Sequence, residues 1–298
     1  MKLLISGAAG QLGSNLVEVC QSQAIDLCAC DRTALDITDL SAITTILEKE
    51  KPDFVVNTAA YTAVDKAETE QKKAFAINHF ATENLAKACA EYNVPLIHIS
   101  TDYVFDGRKQ SPYIETDIPA PTSIYGLSKL RGEEAIRTHC TRHIILRVSW
   151  VFGFHGNNFV KTIQRLARER EELSIVEDQK GCPTATDNIS QVILSILKQM
   201  QSNTFDKYGT YHYCDAPESN WYAFANAIIE ATQKYEQLTV KRVNAIPSRN
   251  FPTPATRPMN SRMDCSKLKK VFNIDRYSWR ISLEKLVKAL TEKQNRAE

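Results

Sequence analysis

The sequence lacks long apolar runs and a strong excess of either charge. Its longest apolar stretches have the length of strands, which is too short for a membrane-spanning helix. Its 37 Lys and Arg residues nearly balance 35 Asp and Glu residues, which gives a formal net charge of +2. So small a charge creates no field for nucleic acid or an anionic membrane. We therefore expect neither as a partner.

Cysteine motifs are lacking too, although the chain has eight cysteines. No pair is separated by the two residues typical of zinc or redox motifs. Reduced thiols fit a long, helix-rich chain better than a disulfide framework does, and they predict a cytoplasmic protein. The apolar N-terminal stretch is too short for a signal peptide and leads into a glycine turn, so we interpret it as a strand. His139 and His143 are four residues apart, but a predicted helix ends between them, and we assign no metal ligand there.

Strand and helix patterns alternate through the first half of the 298 residues. This rhythm predicts an α/β fold, a Rossmann-like doubly wound parallel sheet with helices on both faces. After residue 150 the rhythm loosens. We predict an NAD(P)-binding Rossmann domain over 1–150 and mainly a smaller C-terminal substrate-binding lobe over 151–298, with some segments returning to the first domain. The predicted strands of the first half are 3–6, 26–31, 53–59, 95–101 and 143–150, and its predicted helices are 10–21, 40–49, 67–92 and 124–138. Two short helices are predicted to close the chain.

A glycine-rich turn follows the first predicted strand, with Gly7, Gly10 and Gly13 at three-residue spacing. Strand, glycine turn and helix are the context of a dinucleotide site, where the backbone approaches a pyrophosphate at a helix N-terminus. Asp31 ends the second strand, where a carboxylate reaches the adenosine ribose. An acid there favours NAD, but the adjacent Arg32 can accept a 2′-phosphate. The sequence leaves NADH and NADPH open.

Further cofactor neighbours are expected beyond the second and third strands. Asp36 and Ile37 are candidates for the adenine end. Small residues after the third strand would let the backbone pass close to the cofactor; this stretch is Ala59, Ala60, Tyr61 and Thr62.

Tyr125 and Lys129 form a Tyr-x-x-x-Lys spacing, which places both side chains on one face of a helix. A free tyrosine has a pKa of about 10, and a neighbouring positive charge lowers it. Such a phenol can donate a proton to the oxygen of a carbonyl that receives a hydride. Thr101, after an apolar run, can hold the same oxygen. These three residues predict catalysis of hydride transfer between a nicotinamide and a carbonyl.

Together these motifs resemble the extended short-chain dehydrogenase/reductase family over nearly the whole chain. Seven ordered segments carry the resemblance: 7–13, 57–68, 100–107, 125–129, 147–153, 178–184 and 254–258. The members that this chain resembles reduce the 4-keto group of a dTDP-bound 6-deoxyhexulose. The product, dTDP-L-rhamnose, supplies surface polysaccharides. The resemblance therefore implies an NAD(P)H-dependent oxidoreductase acting on a dTDP-sugar.

The resemblance also implies roles for single residues. Tyr125 is the proton donor, Lys129 its partner and a ligand of the nicotinamide ribose, and Thr101 orients the sugar carbonyl. Asp102 and Trp150 contact the sugar nucleotide, and the Pro-flanked Arg257 suits a diphosphate because arginine offers paired donors. The implied cofactor contacts are Gly10, Gln11, Leu12, Asp31, Asp36, Ile37, Ala60, Tyr61, Thr62 and Ile99.

Other readings stay open at the level of sequence. One is a related nucleotide-sugar 4-ketoreductase or epimerase; dehydration is disfavoured because Tyr103 stands where dehydratases have a glutamate base. Another is a regulatory subunit that binds NADP without turnover. Some family members use Mg²⁺, but the surroundings of Glu284 match such a ligand poorly, and we assign no metal. A homodimer is possible, and the sequence leaves the oligomeric state open.

Overall fold

The computed structural model of the protein describes residues 1–295. Its first half alternates strands and helices as the sequence predicts, and the long helical stretch breaks at residues 68–70. The strands are β1 (Lys2–Ser6), β2 (Asp26–Cys30), β3 (Phe54–Asn57), β4 (Leu96–Thr101) and β5 (His143–Val148). The helices are α1 (Gln11–Ser22), α2 (Leu40–Glu50), α3 (Val64–Ala67), α4 (Gln71–Phe75), α5 (Thr82–Glu91) and α6 (Ile124–His139), with a π-helix at Ala76–Ala81.

The second half contains shorter strands between its helices. Its strands are β6 (Val151–Phe152), β7 (Glu172–Val176), β8 (Lys180–Gly181), β9 (Thr184–Ala185), β10 (Gly209–His212), β11 (Ser219–Asn220) and β12 (Arg242–Ile246). Its helices are α7 (Phe159–Glu169), α8 (Thr186–Met200), α9 (Trp221–Gln233), α10 (Ser266–Phe272) and α11 (Trp279–Asn295). The prediction of two short closing helices is wrong for α11, which has 17 residues.

Six strands form one parallel sheet in the order β10-β5-β4-β3-β1-β2. All neighbouring strands in it run parallel. The predicted doubly wound parallel sheet is thereby confirmed. The direction of winding changes between β1 and β3, and ligands of such sheets bind at the carboxyl ends of the strands beside this point.

Apolar cores lie on both faces of this sheet. On one face α1, α8 and α10 bury Leu16, Ile193 and Phe272, and on the other α2 and α5 bury Ile43 and Leu85. Elements beyond residue 150 therefore belong to this layered structure, since β10 is a strand of the sheet and α8 packs on one of its faces. The second half builds a further core of its own, which includes Phe152, Phe224 and Trp279.

The eight cysteines are free thiols, and all but Cys28 are buried. Cys28 and Cys30 occupy alternate positions of β2, so both point to the same face of the strand. No helix in residues 1–295 is both long and apolar enough to cross a membrane.

Candidate active site

A cavity of about 610 Å³ opens at the carboxyl ends of β1–β5. Seventeen of the predicted site residues line it, because parallel strands deliver their C-terminal ends to the same edge of the sheet. They are Gly7, Gly10, Gln11, Leu12, Asp31, Arg32, Asp36, Ile37, Ala59, Ala60, Thr62, Ile99, Thr101, Asp102, Tyr125, Lys129 and Trp150. A more open hollow of about 710 Å³ lies near Met1, Asp53 and Arg142, away from all of them.

The glycine turn is shaped for the close approach of a ligand. Gly7 has φ +75°, and a Cβ there would lie 2.5 Å from the backbone nitrogen of Ala59. Gly10 is the N-cap residue of α1 and has no side chain that could accept a hydrogen bond. The first N–H groups of the helix therefore face the cavity without a capping side chain. This cradle of backbone donors at a positive helix end fits the pyrophosphate of a dinucleotide.

Two aspartates shape the loop after β2. Asp31 Oδ1 accepts hydrogen bonds from the Thr33 N–H at 2.9 Å, the Thr33 hydroxyl at 2.7 Å and the Ala34 N–H at 2.9 Å. Asp36 Oδ1 accepts the N–H and the hydroxyl of Thr38 in the same way. These hydrogen bonds hold the pKa values of both carboxyls below their ordinary values. The loop therefore presents two anionic groups, and Arg32, which follows Asp31 in sequence, also lines the cavity.

The three predicted catalytic residues converge at the inner end of the cavity. Thr101 is the last residue of β4, and Tyr125 lies in the first turn of α6, which Ser123 caps by accepting the N–H of Gly126. Lys129 lies one turn further on, is 2% exposed, and donates to the Ile99 carbonyl at 2.7 Å.

The electrostatics of this group differ from the prediction. Burial raises the pKa of Tyr125 to about 12, and a contact with the Thr101 hydroxyl only partly opposes this rise. Burial lowers the pKa of Lys129 to about 8, with the charge of Glu133 opposing it. The expected lowering of the tyrosine pKa by Lys129 is not found, because the amine points to β4 instead of the phenol. Tyr125 is thus protonated at neutral pH and is available as a proton donor.

Two residues that the sequence reasoning missed hold Lys129 from below. The Nε2 atom of His98 lies 3.1 Å from the Lys129 Nζ, and its Nδ1 lies 3.0 Å from the Asn57 Nδ2. His98 interrupts the apolar run at the start of β4, and a polar residue in that position was the signal available in the sequence.

Asp102 and Trp150, the two residues predicted to contact the sugar nucleotide, both line the cavity. Asp102 is 2% exposed, and its Oδ2 has no hydrogen-bond partner within residues 1–295. Burial raises the pKa of Asp102 to about 6. Trp150 adopts φ +46° and stacks on Trp221 with ring centroids 3.6 Å apart. A Cβ at Gly181 would come within 2.4 Å of the Trp150 ring, so this glycine leaves room for the stacked pair.

Three predicted residues do not line the cavity. Gly13 faces Gly7, where an added Cβ would lie 2.1 Å from the Gly7 oxygen. Tyr61 is buried, and its hydroxyl donates to Glu70 at 3.2 Å. Arg257 makes a bidentate ion pair with Asp65 at 3.0 and 2.7 Å. The lining residues that the sequence reasoning did not name as site residues are Ala9, Leu35, Thr38, Thr58, Val64, Ile77, Ser100, Tyr103, Val148, Val151 and Asn157.

The structure gives no support to Mg²⁺ binding at Glu284. Glu284 pairs with Lys234 at 2.7 Å. Within residues 1–295, no three acidic, histidine or cysteine side chains form a group that could hold a metal. His139 approaches Glu83 at 3.4 Å, whereas the ring of His143 contacts the carbonyl of Cys140.

Comparison with known proteins identifies relatives over nearly the whole length of the chain. The family model described as RmlD substrate binding domain matches residues 1–292. A dTDP-4-dehydrorhamnose reductase of Sinorhizobium fredii is 41% identical over 293 residues, covering 97% of this chain and 98% of that protein.

Solved structures agree with this relationship. A crystal structure of a dTDP-4-dehydrorhamnose reductase from Clostridium acetobutylicum has a TM-score of 0.90 at 36% identity, covering 97% of this chain and 99% of that one. The enzyme of the same name from Bacillus anthracis, in complex with NADP, has a TM-score of 0.88 at 35% identity, with 96% and 98% covered.

Proposed function

Because the chain belongs to the RmlD substrate binding domain family of dTDP-4-dehydrorhamnose reductases, we propose that it reduces the 4-keto group of dTDP-4-dehydro-L-rhamnose to give dTDP-L-rhamnose. The resemblance recognised in the sequence is confirmed by this membership. The observation that carries the proposal is the shared cavity. It joins the glycine turn at one end to Thr101, Tyr125 and Lys129 at the other.

The cofactor end of the cavity fits a nicotinamide dinucleotide. Backbone groups from Gly7 to Leu12 would hold the pyrophosphate, and Asp31 the adenosine ribose. NADPH or NADH supplies the hydride when bound. We propose that Arg32 favours NADPH, since a guanidinium on the cavity wall suits a 2′-phosphate. The NADP complex of the Bacillus anthracis relative is consistent with this choice.

At the reacting end, Tyr125 donates its phenolic proton to the sugar O4 as the carbonyl carbon receives the hydride. Its raised pKa keeps that proton in place until the alkoxide forms. The Thr101 hydroxyl hydrogen-bonds the same oxygen. Lys129, in its charged form, donates hydrogen bonds to the nicotinamide ribose.

The sugar nucleotide lies against Asp102 and the Trp150 ring in this proposal. Arg257 remains a proposed ligand of the diphosphate. Its ion-pair partner Asp65 follows Val64, which lines the cavity, in the sequence of α3. A homodimer and a cytoplasmic location also remain proposals.

The test is NADPH oxidation with dTDP-4-dehydro-L-rhamnose made by coupled upstream enzymes, followed by identification of the product. Oxidation with dTDP-L-rhamnose as product is expected. A different stereoisomer would move the assignment to another 4-ketoreductase. Tight NADPH binding without oxidation would favour the regulatory-subunit reading.

A further inference from the structure

A line of buried polar side chains runs beneath the catalytic lysine. It leads from Ser6 on β1 through Asn57 on β3 and His98 on β4 to Lys129 on α6. Ser6, Asn57 and His98 are each 0% exposed. The joining distances are 2.8 Å from Ser6 Oγ to Asn57 Oδ1, 3.0 Å from Asn57 Nδ2 to His98 Nδ1, and 3.1 Å from His98 Nε2 to Lys129 Nζ. Buried polar groups of this kind need matched donors and acceptors.

Hydrogen-bond donors and acceptors along this line can be assigned from a fixed backbone donor. The N–H of Ala59 donates to Asn57 Oδ1 at 3.0 Å, which fixes the orientation of the amide. The Asn57 Nδ2 group, which can only donate, therefore faces His98 Nδ1. The Nδ1 atom must accept, so the proton of the neutral imidazole sits on Nε2. Burial keeps this ring neutral, since it lowers the pKa of His98 well below its ordinary value.

The Nε2–H of His98 consequently points at the amine of Lys129. A charged lysine has three donors and no acceptor, so it would oppose this donor. An uncharged amine has a lone pair that accepts the hydrogen bond, while one of its own N–H groups donates to the Ile99 carbonyl at 2.7 Å. Within this line of side chains, the uncharged lysine is the form that satisfies every group.

We propose that His98, oriented by Asn57, is a positioning residue that stabilises the uncharged form of Lys129 and thereby sets the pH above which the enzyme loses activity. The proposal deepens the proposed reductase function and rests on it for its kinetic test. His98 acts only through Lys129 and does not line the cavity.

Other charged or titratable groups near Lys129 also affect the protonation of Lys129 or of His98. Glu133, one turn along α6, favours the charged lysine. Its own charge is balanced by a bidentate pair with Arg147 at 2.8 and 2.6 Å. The ring of His98 also senses Lys129 and His143, both of which lower its pKa further. Tyr125, on the same face of α6, is protonated at neutral pH. None of these groups takes the place of the Lys129 amine as the hydrogen-bond partner of His98 Nε2.

The kinetic test replaces His98 with glutamine, whose side-chain oxygen can accept from the charged lysine. The alkaline limb of the pH–kcat profile should move to higher pH by about one unit, a tenfold change in the protonation equilibrium. Asn57→Asp is a second variant, because a carboxylate would accept from Nδ1–H and turn the Nε2 lone pair toward Lys129. It should move the limb in the same direction.

His143→Gln is the matched control. His143 is also buried, at 8% exposure, and lies on the neighbouring strand β5 without contacting Lys129. This substitution should leave the alkaline limb of the pH–kcat profile at its wild-type pH. An unchanged limb in both His98→Gln and Asn57→Asp would overturn the proposal, as would an equal shift in His143→Gln.

A second readout needs no activity. In protein labelled with ¹⁵N-histidine, the His98 ring is assigned as the signal lost in His98→Gln. We expect its Nδ1 shift to be that of an unprotonated nitrogen and its Nε2 shift that of a protonated one, with the two exchanged in Asn57→Asp. The opposite tautomer in the wild-type protein would overturn the proposal even if the reductase activity is present. If the activity is absent and the tautomer is as expected, the proposed function fails and the positioning of Lys129 stands.

Discussion

Replacement of Gly13 by alanine should weaken cofactor binding although Gly13 does not line the cavity. Gly13 is in the first turns of α1, with backbone geometry that any residue adopts. An added Cβ would lie 2.1 Å from the Gly7 oxygen and 2.8 Å from the Thr58 hydroxyl oxygen. A backbone carbonyl cannot turn aside as a flexible side chain can. Either α1 or the glycine turn must therefore move by about 1 Å to restore ordinary contact.

Two effects of opposite sign determine the change in stability. Overpacking of a tight contact costs about 1–3 kcal/mol, whereas alanine in place of glycine inside a helix recovers about 1 kcal/mol. The net loss is therefore about 0–2 kcal/mol, which corresponds to a drop in Tm of at most roughly 8 °C for a chain of this size. Displacement of the turn by about 1 Å from the phosphates should raise the Kd for NADPH by at least tenfold, because such misplacements have cost up to about 10²-fold in activity.

Gly132→Ala separates the loss of stability from the loss of NADPH binding. Its Cβ would also lie 2.1 Å from a backbone oxygen, that of Asn78, but on α6 away from the glycine turn. Tm by thermal unfolding and the Kd for NADPH by calorimetry should both change in Gly13→Ala, whereas only Tm should change in Gly132→Ala. A wild-type Kd in folded Gly13→Ala would refute the view that the approach of α1 shapes the phosphate cradle.

Three further substitutions test the site. Tyr125→Phe should lower kcat by about 10²-fold or more. Tm should change little, because the ring keeps its edge-on contact with Tyr103, with ring centroids 5.5 Å apart. Near-normal turnover would show that Tyr125 is not the acid. Arg32→Ala should raise the KM for NADPH by about tenfold and leave that for NADH nearly unchanged, and equal effects on both would remove the 2′-phosphate contact. The pKa of Asp102 is about 6 in the folded protein and 3.8 ordinarily. Because the buried carboxyl resists ionisation, the free energy of unfolding falls by about 3 kcal/mol as the pH rises from below the ordinary pKa to above the folded one. Asp102→Asn should therefore raise Tm at pH 8 but not at pH 4, and the reverse pattern would show that burial is not the controlling effect.

Much of the site follows from sequence because its residues sit at strand ends. Gly7, Asp31, Thr101 and Trp150 each end or follow a recognisable strand, and parallel strands bring such positions to one edge. Side-chain direction within a loop does not follow. Tyr61 stands among small residues predicted near the cofactor, yet it turns inward to Glu70.

Contacts between distant parts of the chain also escaped the sequence reasoning. The partner of Trp150 is Trp221, which lies on a helix of the second half. The electrostatics of Lys129 depend on His98 and Asn57, which look in the sequence like polar interruptions of buried strands. A four-residue spacing fixes which side chains share a helix face, but not which neighbouring strand the amine contacts.

The return of α8 and β10 to the central sheet limits how this enzyme can exchange parts with its relatives. A single crossover at residue 150 would place β10 of one parent beside β5 of the other, and α8 of one against α1 of the other. Both seams are buried. Recombination that transplants the second half must therefore leave residues 186–212 and α10 with the parent that supplies β1–β5, so the rest of that half is exchanged as three separate inserts.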